Sequence, residues 1–283
     1  MKRILLALLL VIMIVPAAWA KVNVFVSILP QAYFVERIGG QEVNVQVLVG
    51  PGQSHETYEP TPKQMAQLAQ ADVYFPIGMP FEFHLMEKIK RSFKDLNVVE
   101  SQRGISLRGS EEHHHDGHRP EFNIDPHIWL DPQKARIMSF NMTDELARLR
   151  PNLAEMFRAN LARLAADLDQ LHRDLTAQLK PYQGRSFMVF HPAYGYFAEA
   201  YGLRQIAVEA EGKSPNAKQL AGWIDLARRE KVKAIFVQPQ FSQDTARTIA
   251  ASIGGVIVPL DPLAKDYLNN LRKMATAIVG AMP

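Results

Sequence analysis

Short runs of β-branched and aromatic residues alternate along the chain with longer stretches whose apolar positions recur at helical spacing. Val22-Asn23-Val24-Phe25-Val26 predicts a buried strand, and Gln31 to Ile38 the helix behind it, closed by Gly39-Gly40. Further strands are expected over 43–49, 73–75 and 97–99, with helices over 62–69 and 81–93. Such alternation predicts parallel sheets with crossover helices. The rhythm breaks at 104–123, where glycine, serine, charge and the run His113-His114-His115-Asp116-Gly117-His118 predict an exposed loop. Helical patterns then fill 133–149 and 152–179. In the second of these Phe157, Leu161, Leu164, Leu168, Leu171, Leu175 and Leu179 fall mostly three and four apart, one apolar face along its length. Pro181 and Gly184 end it. The alternation resumes with strands over 187–190, 206–208, 234–237 and 256–258, and helices over 193–201, 217–229, 244–253 and 267–279.

The predicted fold is therefore α/β: two parallel-sheet lobes joined by one long rigid helix. The boundaries fall at 21–132 for the N-terminal lobe, with its loop at 104–123, at 133–184 for the helical segment, and at 185–283 for the C-terminal lobe. No sequence-level repeat relates the lobes.

Residues 1–20 stand apart. Lys2 and Arg3 precede an apolar run from Ile4 to Val15, Pro16 breaks it, and Ala18-Trp19-Ala20 places small residues where a signal peptidase needs them. The run is shorter than the about 20 apolar residues that span a bilayer. An export signal cleaved after Ala20, and so a periplasmic protein, is expected rather than a membrane anchor. Its loss lowers the formal net charge from +3 to +1, so the basic balance belongs partly to the signal. The clustered basic face of a nucleic-acid binder is not evident. The chain has no cysteine, which rules out thiolate ligands and nucleophiles, and no lipid anchor on an N-terminal cysteine is expected. A free monomer fits best.

Of nine histidines, three share a setting beyond a strand or turn, beside proline or glycine. His55 lies in Gly50-Pro51-Gly52-Gln53-Ser54-His55-Glu56-Thr57-Tyr58-Glu59-Pro60, His127 in Asp125-Pro126-His127-Ile128-Trp129-Leu130-Asp131-Pro132, and His191 in Phe190-His191-Pro192-Ala193-Tyr194-Gly195-Tyr196-Phe197. Ligands of open α/β sheets bind beyond the carboxyl ends of strands, and Asp261 in Val258-Pro259-Leu260-Asp261-Pro262-Leu263 occupies a similar place. A histidine in a turn is more often a cap or a surface residue than a ligand, and these spacings match no local metal motif. The residues alone thus point to a metal site between lobes without fixing it.

Those blocks, together with Gln238-Pro239-Gln240-Phe241, resemble in order and across the whole of 21–283 the solute-binding proteins of zinc and manganese ABC transporters. The resemblance implies two α/β lobes on one rigid helix, a metal in the cleft, and a membrane permease as partner. It implies His55, His127, His191 and Asp261 as ligands. A bound water and Glu56 compete with Asp261 for the fourth place, and Asp261 is favoured because Glu56 follows His55 immediately and adjacent side chains in an extended segment diverge. Zinc suits such a set, being four-coordinate with imidazole and carboxylate, whereas manganese prefers harder oxygen donors. Zinc-type members resemble this chain in carrying a histidine-rich loop, so His113, His114, His115 and His118 are expected to bind auxiliary zinc weakly. His84 and His172 read as surface or boundary residues, and Trp129, Tyr194, Tyr196 and Phe197 as cleft wall.

Three alternatives remain. The first is a manganese- or iron-binding protein of the same family. The second is a zinc-dependent hydrolase with water as fourth ligand, for which Glu56 is the one local candidate base. The third is an adhesin, for which no extended apolar or repetitive surface speaks. The expectation is a binding protein and not an enzyme.

Overall fold

The computed structural model describes residues 20–109, 124–209 and 215–282. The expected export signal up to Trp19 and the run His113, His114, His115 and His118 lie outside the described residues.

Strand β1 (Val22–Val26) pairs in parallel with β2 (Val43–Val47) and β3 (Val73–Phe75), and β3 pairs with β4 (Asn97–Val98), giving the order β2-β1-β3-β4. In the second sheet β5 (Ser186–Val189) pairs with β6 (Arg204–Ala207) and β7 (Ala234–Val237), and β7 with β8 (Val256–Pro259), giving β6-β5-β7-β8. The strand order therefore repeats where the sequence shows no repeat. The central strands are apolar apart from Asn23 in β1 and Ser186 at the start of β5, because helices cover both faces of a parallel sheet. Strand β6 begins two residues before its predicted place: Arg204 is exposed on the sheet's edge, and a charged residue there reads as loop.

In the N-terminal lobe the helices are α1 (Leu29–Gly39), α2 (Pro62–Leu68) and α3 (Pro80–Ser92). Helix α4 (Pro132–Leu149) follows. Each of the four has proline in its first turn, where the missing N–H has no helical acceptor to lose. Thr61 caps α2 and Asp131 caps α4 by accepting backbone hydrogen bonds. The predicted helix at 152–179 is α5 (Ala154–Leu179) preceded by a single 3₁₀ turn at Pro151–Leu153. Beyond it lie α6 (Gly195–Ala200), α7 (Ala217–Arg229), α8 (Asp244–Ile253) and α9 (Tyr267–Ala281).

The apolar face of α5 is buried at Phe157, Leu164, Leu168, Leu171, Leu175 and Leu179. It packs on α1 and α4 at one end and on α9 at the other, so one continuous core runs from the first sheet through α5 into the C-terminal lobe. A smaller second core lies between the other face of the second sheet and α7 and α8. The lobes also touch directly. Phe34 meets Tyr267 edge-on at 4.8 Å, and the Trp129 Nε1–H donates to Pro262 O at 2.8 Å. Among the described residues no helix is long and apolar enough to cross a membrane.

Candidate metal centre

Three imidazoles meet in the cleft, each delivered by a different local device. Past β2 the chain turns at Gly50-Pro51-Gly52, with Gly52 at φ +74°, and Gln53 Oε1 accepts from Gly50 N at 2.7 Å. The backbone then bends through His55–Thr57, and Ser54 Oγ accepts from Glu56 N at 3.2 Å. The bend turns two consecutive side chains, His55 and Glu56, to the same cleft.

His127 is fixed by Asp125. Asp125 Oδ1 lies 2.8 Å from Nδ1 of the ring and accepts from the His127 backbone N–H at 3.0 Å. A carboxylate on Nδ1 selects the tautomer that leaves Nε2 for a metal. His191 follows β5, where Gln238 clamps its backbone: Oε1 accepts from His191 N at 3.4 Å and Nε2 donates to His191 O at 3.0 Å. Its ring stacks on Phe241 at 4.7 Å.

The three histidines are 1–3% exposed, and their ring centroids are 5.2 to 5.5 Å apart. One ligand atom from each of His55, Glu56, His127 and His191 falls within 4.8 Å of all the others. His55 Nε2 lies 3.2 Å from His127 Nε2. Glu56 Oε1 lies 3.2 Å from His55 Nε2 and 3.3 Å from His191 Nε2. His191 Nδ1 stands 3.3 Å from Glu209 Oε2. Yet neither ring nitrogen of His191, nor His55 Nδ1, nor either carboxylate oxygen of Glu209 makes a hydrogen bond, though all are buried. Such groups cost free energy. A cation among them would satisfy several at once, and the donor set fits zinc.

The electrostatics show the strain. Burial pushes the His55 imidazole down to about 4, against the pull of Glu56. Burial also disfavours charge on His191, but the carboxylates of Glu209 and Glu56 outweigh it and raise the ring to about 9. Burial would raise Glu56; contacts with His191 and His55 overcome that and hold its carboxyl well below the usual range.

Asp261 stands outside this group. Its Oδ1 accepts from Gln240 Nε2 at 2.7 Å and from Leu263 N at 2.9 Å, so it closes its own turn. The carboxylate beside the three imidazoles belongs to Glu56. Sequence reasoning also missed Asp125 and Glu209 as partners of the histidines. Asp125 could have been found two residues before His127. Glu209 lies just past an expected strand, where a carboxylate faces the cleft. Trp129, Tyr194, Tyr196 and Phe197 are fully buried packing. His84 is exposed on α3, and His172 is half-buried on α5 beside Tyr201.

Two α/β lobes on one helix, with a buried imidazole set between them, define a two-lobed protein with a candidate metal centre in its cleft. The chain belongs to the family described as "Zinc-uptake complex component A periplasmic", which matches residues 24–281; its members are solute-binding proteins of zinc ABC transporters and not enzymes. The chain is 28% identical to the "Zinc-binding protein AdcA" of Streptococcus pyogenes serotype M3 over 286 residues, 90% of this chain and 55% of that protein. It therefore spans about half the length of that relative. It is 28% identical to the "High-affinity zinc uptake system protein ZnuA" of Bacillus subtilis, over 87% of this chain and 81% of that one. A crystal structure of a ZnuA matches with TM-score 0.86 at 39% identity, over 92% of this chain and 99% of that chain.

Proposed function

We propose that the protein captures zinc after export to the periplasm and hands it to an ABC-type membrane permease. The observation that carries this reading is the convergence of three buried imidazoles and the Glu56 carboxylate from both lobes onto one point. His55, His127 and His191 each give one nitrogen, Glu56 is the fourth donor, and Asp125 and Glu209 orient two of the rings. Three imidazoles favour zinc over manganese. The relatives named for zinc support the same choice.

Capture follows from burial: an ion would draw on buried imidazole and carboxylate groups that have few other partners. Release needs only that one lobe's ligand withdraw, since a four-coordinate shell does not survive the loss of a ring from either side. Docking on the permease supplies that displacement. The protein works as a monomer, cut after Ala20, and His113, His114, His115 and His118 add weak zinc sites.

Competitive titration of the untagged protein with zinc and manganese tests the reading. Zinc should bind one ion tightly and displace manganese; manganese bound equally well would overturn it. Cobalt spectra of Glu56→Gln and Asp261→Ala decide the fourth donor. The band should change in the first and not in the second. Deleting residues 111–118 should lower the number of ions bound and leave the tightest site as it was.

A further inference from the structure

We propose that Arg108 is a positioning residue that ties the C-terminal lobe to His127 through Asp125, and so slows release of the ion. This rests on the zinc-capture reading. Arg108 stands at the root of the histidine-rich segment, where Gly109 bridges Ile124 and Arg108 O accepts from Asp125 N at 3.1 Å. Its guanidinium lies 3.6 Å from Asp125 Oδ2, the oxygen not used on His127. The same guanidinium reaches the other lobe, 3.8 Å from Glu199 Oε2 on α6 and 5.7 Å from the Tyr196 ring centre.

The backbone continues the tie. Arg108 N–H donates to Tyr196 Oη at 2.9 Å, and Tyr196 O–H donates to Asp125 O at 3.1 Å. Lys134, on α4, adds a second cation 5.2 Å from the Tyr196 ring centre. A cation near an aromatic ring and a partly buried ion pair gain strength from exclusion of water. The chain leaves no slack. A Cβ at Gly195 would lie 1.5 Å from Arg108 Nη1 and 2.8 Å from Asp125 Oδ2. A side chain at this position would push the guanidinium out of its contacts, and Gly195 follows His191 by four residues.

One arginine thus touches the carboxylate that orients a ligand of one lobe and the helix that directly follows the ligand of the other. Separating the lobes at this rim pulls Arg108 away from Asp125 or from Tyr196. Either event loosens the Nδ1 contact that aims His127 at the ion. The lone charge of lysine would keep the attraction to Asp125 but lacks the planar fork that spans Asp125 and Glu199.

The test is zinc release by the full chain into excess chelator, followed by stopped flow. Arg108→Ala should release zinc about tenfold faster, the low end of what loss of a group behind a metal ligand costs. Arg108→Lys should fall between. Gly195→Ala should match Arg108→Ala although its guanidinium is intact; should Gly195→Ala fail to fold, the two arginine variants decide. Arg108→Ala combined with Asp125→Asn should be no faster than Asp125→Asn alone, because both act on one ring. The unfolding midpoint of the zinc-free protein should hardly move in Arg108→Ala, which separates positioning from bulk stability. Wild-type release in Arg108→Ala, or effects that simply add, would overturn the tie. A wild-type protein that retains no zinc would instead overturn the capture reading itself.

Discussion

Each sheet reverses its strand order at one point, beyond the ends of β1 and β3 in the first lobe and of β5 and β7 in the second. Crevices at such points are where open α/β sheets bind ligands. In the first lobe the chain fills its own crevice. The Glu82 carboxylate accepts from the N–H groups of Ile77, Gly78 and Met79 and from the hydroxyls of Ser27 and Tyr74. Gln31 closes the other side, accepting from Ser27 N at 3.0 Å and donating to Phe75 O at 3.1 Å. In the second lobe Gln238 likewise holds backbone, but the His191 ring nitrogens are left without hydrogen bonds. One topology therefore offers two crevices, and side-chain satisfaction decides which of them can take an ion.

Substitutions that cross this divide should separate cleanly. His191→Ala should have the largest effect. Losing a ligand should weaken zinc binding by more than the ~10–100-fold typical of a partner behind one, and chelator competition measures it. Affinity within that range would remove His191 from the shell. Asp125→Asn comes next, at about 10–100-fold, because an amide can present its nitrogen to Nδ1 and favour the wrong tautomer. A loss equal to that of His191→Ala would mean that the carboxylate does more than orient.

Glu209→Gln should cost less at pH 7. Removing this carboxylate weakens the hold on the ring but also lowers the pH at which His191 takes a proton, and the proton competes with zinc. The sign follows from the raised His191 value. Between pH 6 and 8 its ring carries a proton that zinc must expel, so affinity should rise about tenfold per unit from this group. His55, pushed down to about 4, contributes no proton there. Calorimetry in buffers of different ionisation heat counts the protons; none released in this range would contradict the His191 assignment. The same ring stabilises the zinc-free fold fully below pH ~6.5, its unfolded value, and that contribution fades as pH rises through 9.

The smallest effect on affinity should come from Glu82→Gln. It replaces an oxygen acceptor with donors facing backbone N–H groups and should cost about 1–3 kcal/mol of stability. Zinc affinity should stay near wild type. Chemical unfolding and titration of one sample read both quantities, and a large affinity loss would join the two crevices that the structure keeps apart.

The pattern of the sequence carried most of this architecture, because parallel strands and crossover helices write their periods into consecutive residues. The three histidines were legible from their place beyond strand ends and in Pro-rich turns. The carboxylate beside them was not. Adjacent side chains diverge in an extended segment, which favoured Asp261 over Glu56. The bend at His55–Thr57 removes that premise, and no local pattern announces it. Asp261, flanked by prolines, looked aimed at the cleft but is occupied by Gln240 and the Leu263 N–H. Partners such as Arg108 and Glu199 lie 91 positions apart, where periodicity has nothing to say.

The shared core along α5 has a consequence for how the molecule comes apart. Amides on its buried face should exchange with solvent deuterium only through global unfolding, since α5 belongs to both lobes at once. The separate cluster under α7 and α8, beside the edge strand β8 with Val256 60% exposed, forms a smaller cooperative unit that can open first. His191 and Phe241 border that unit, whereas His55 and His127 are anchored on the shared core. Breathing of the outer layer alone could thus withdraw one ring from the ion while the rest of the fold stays closed.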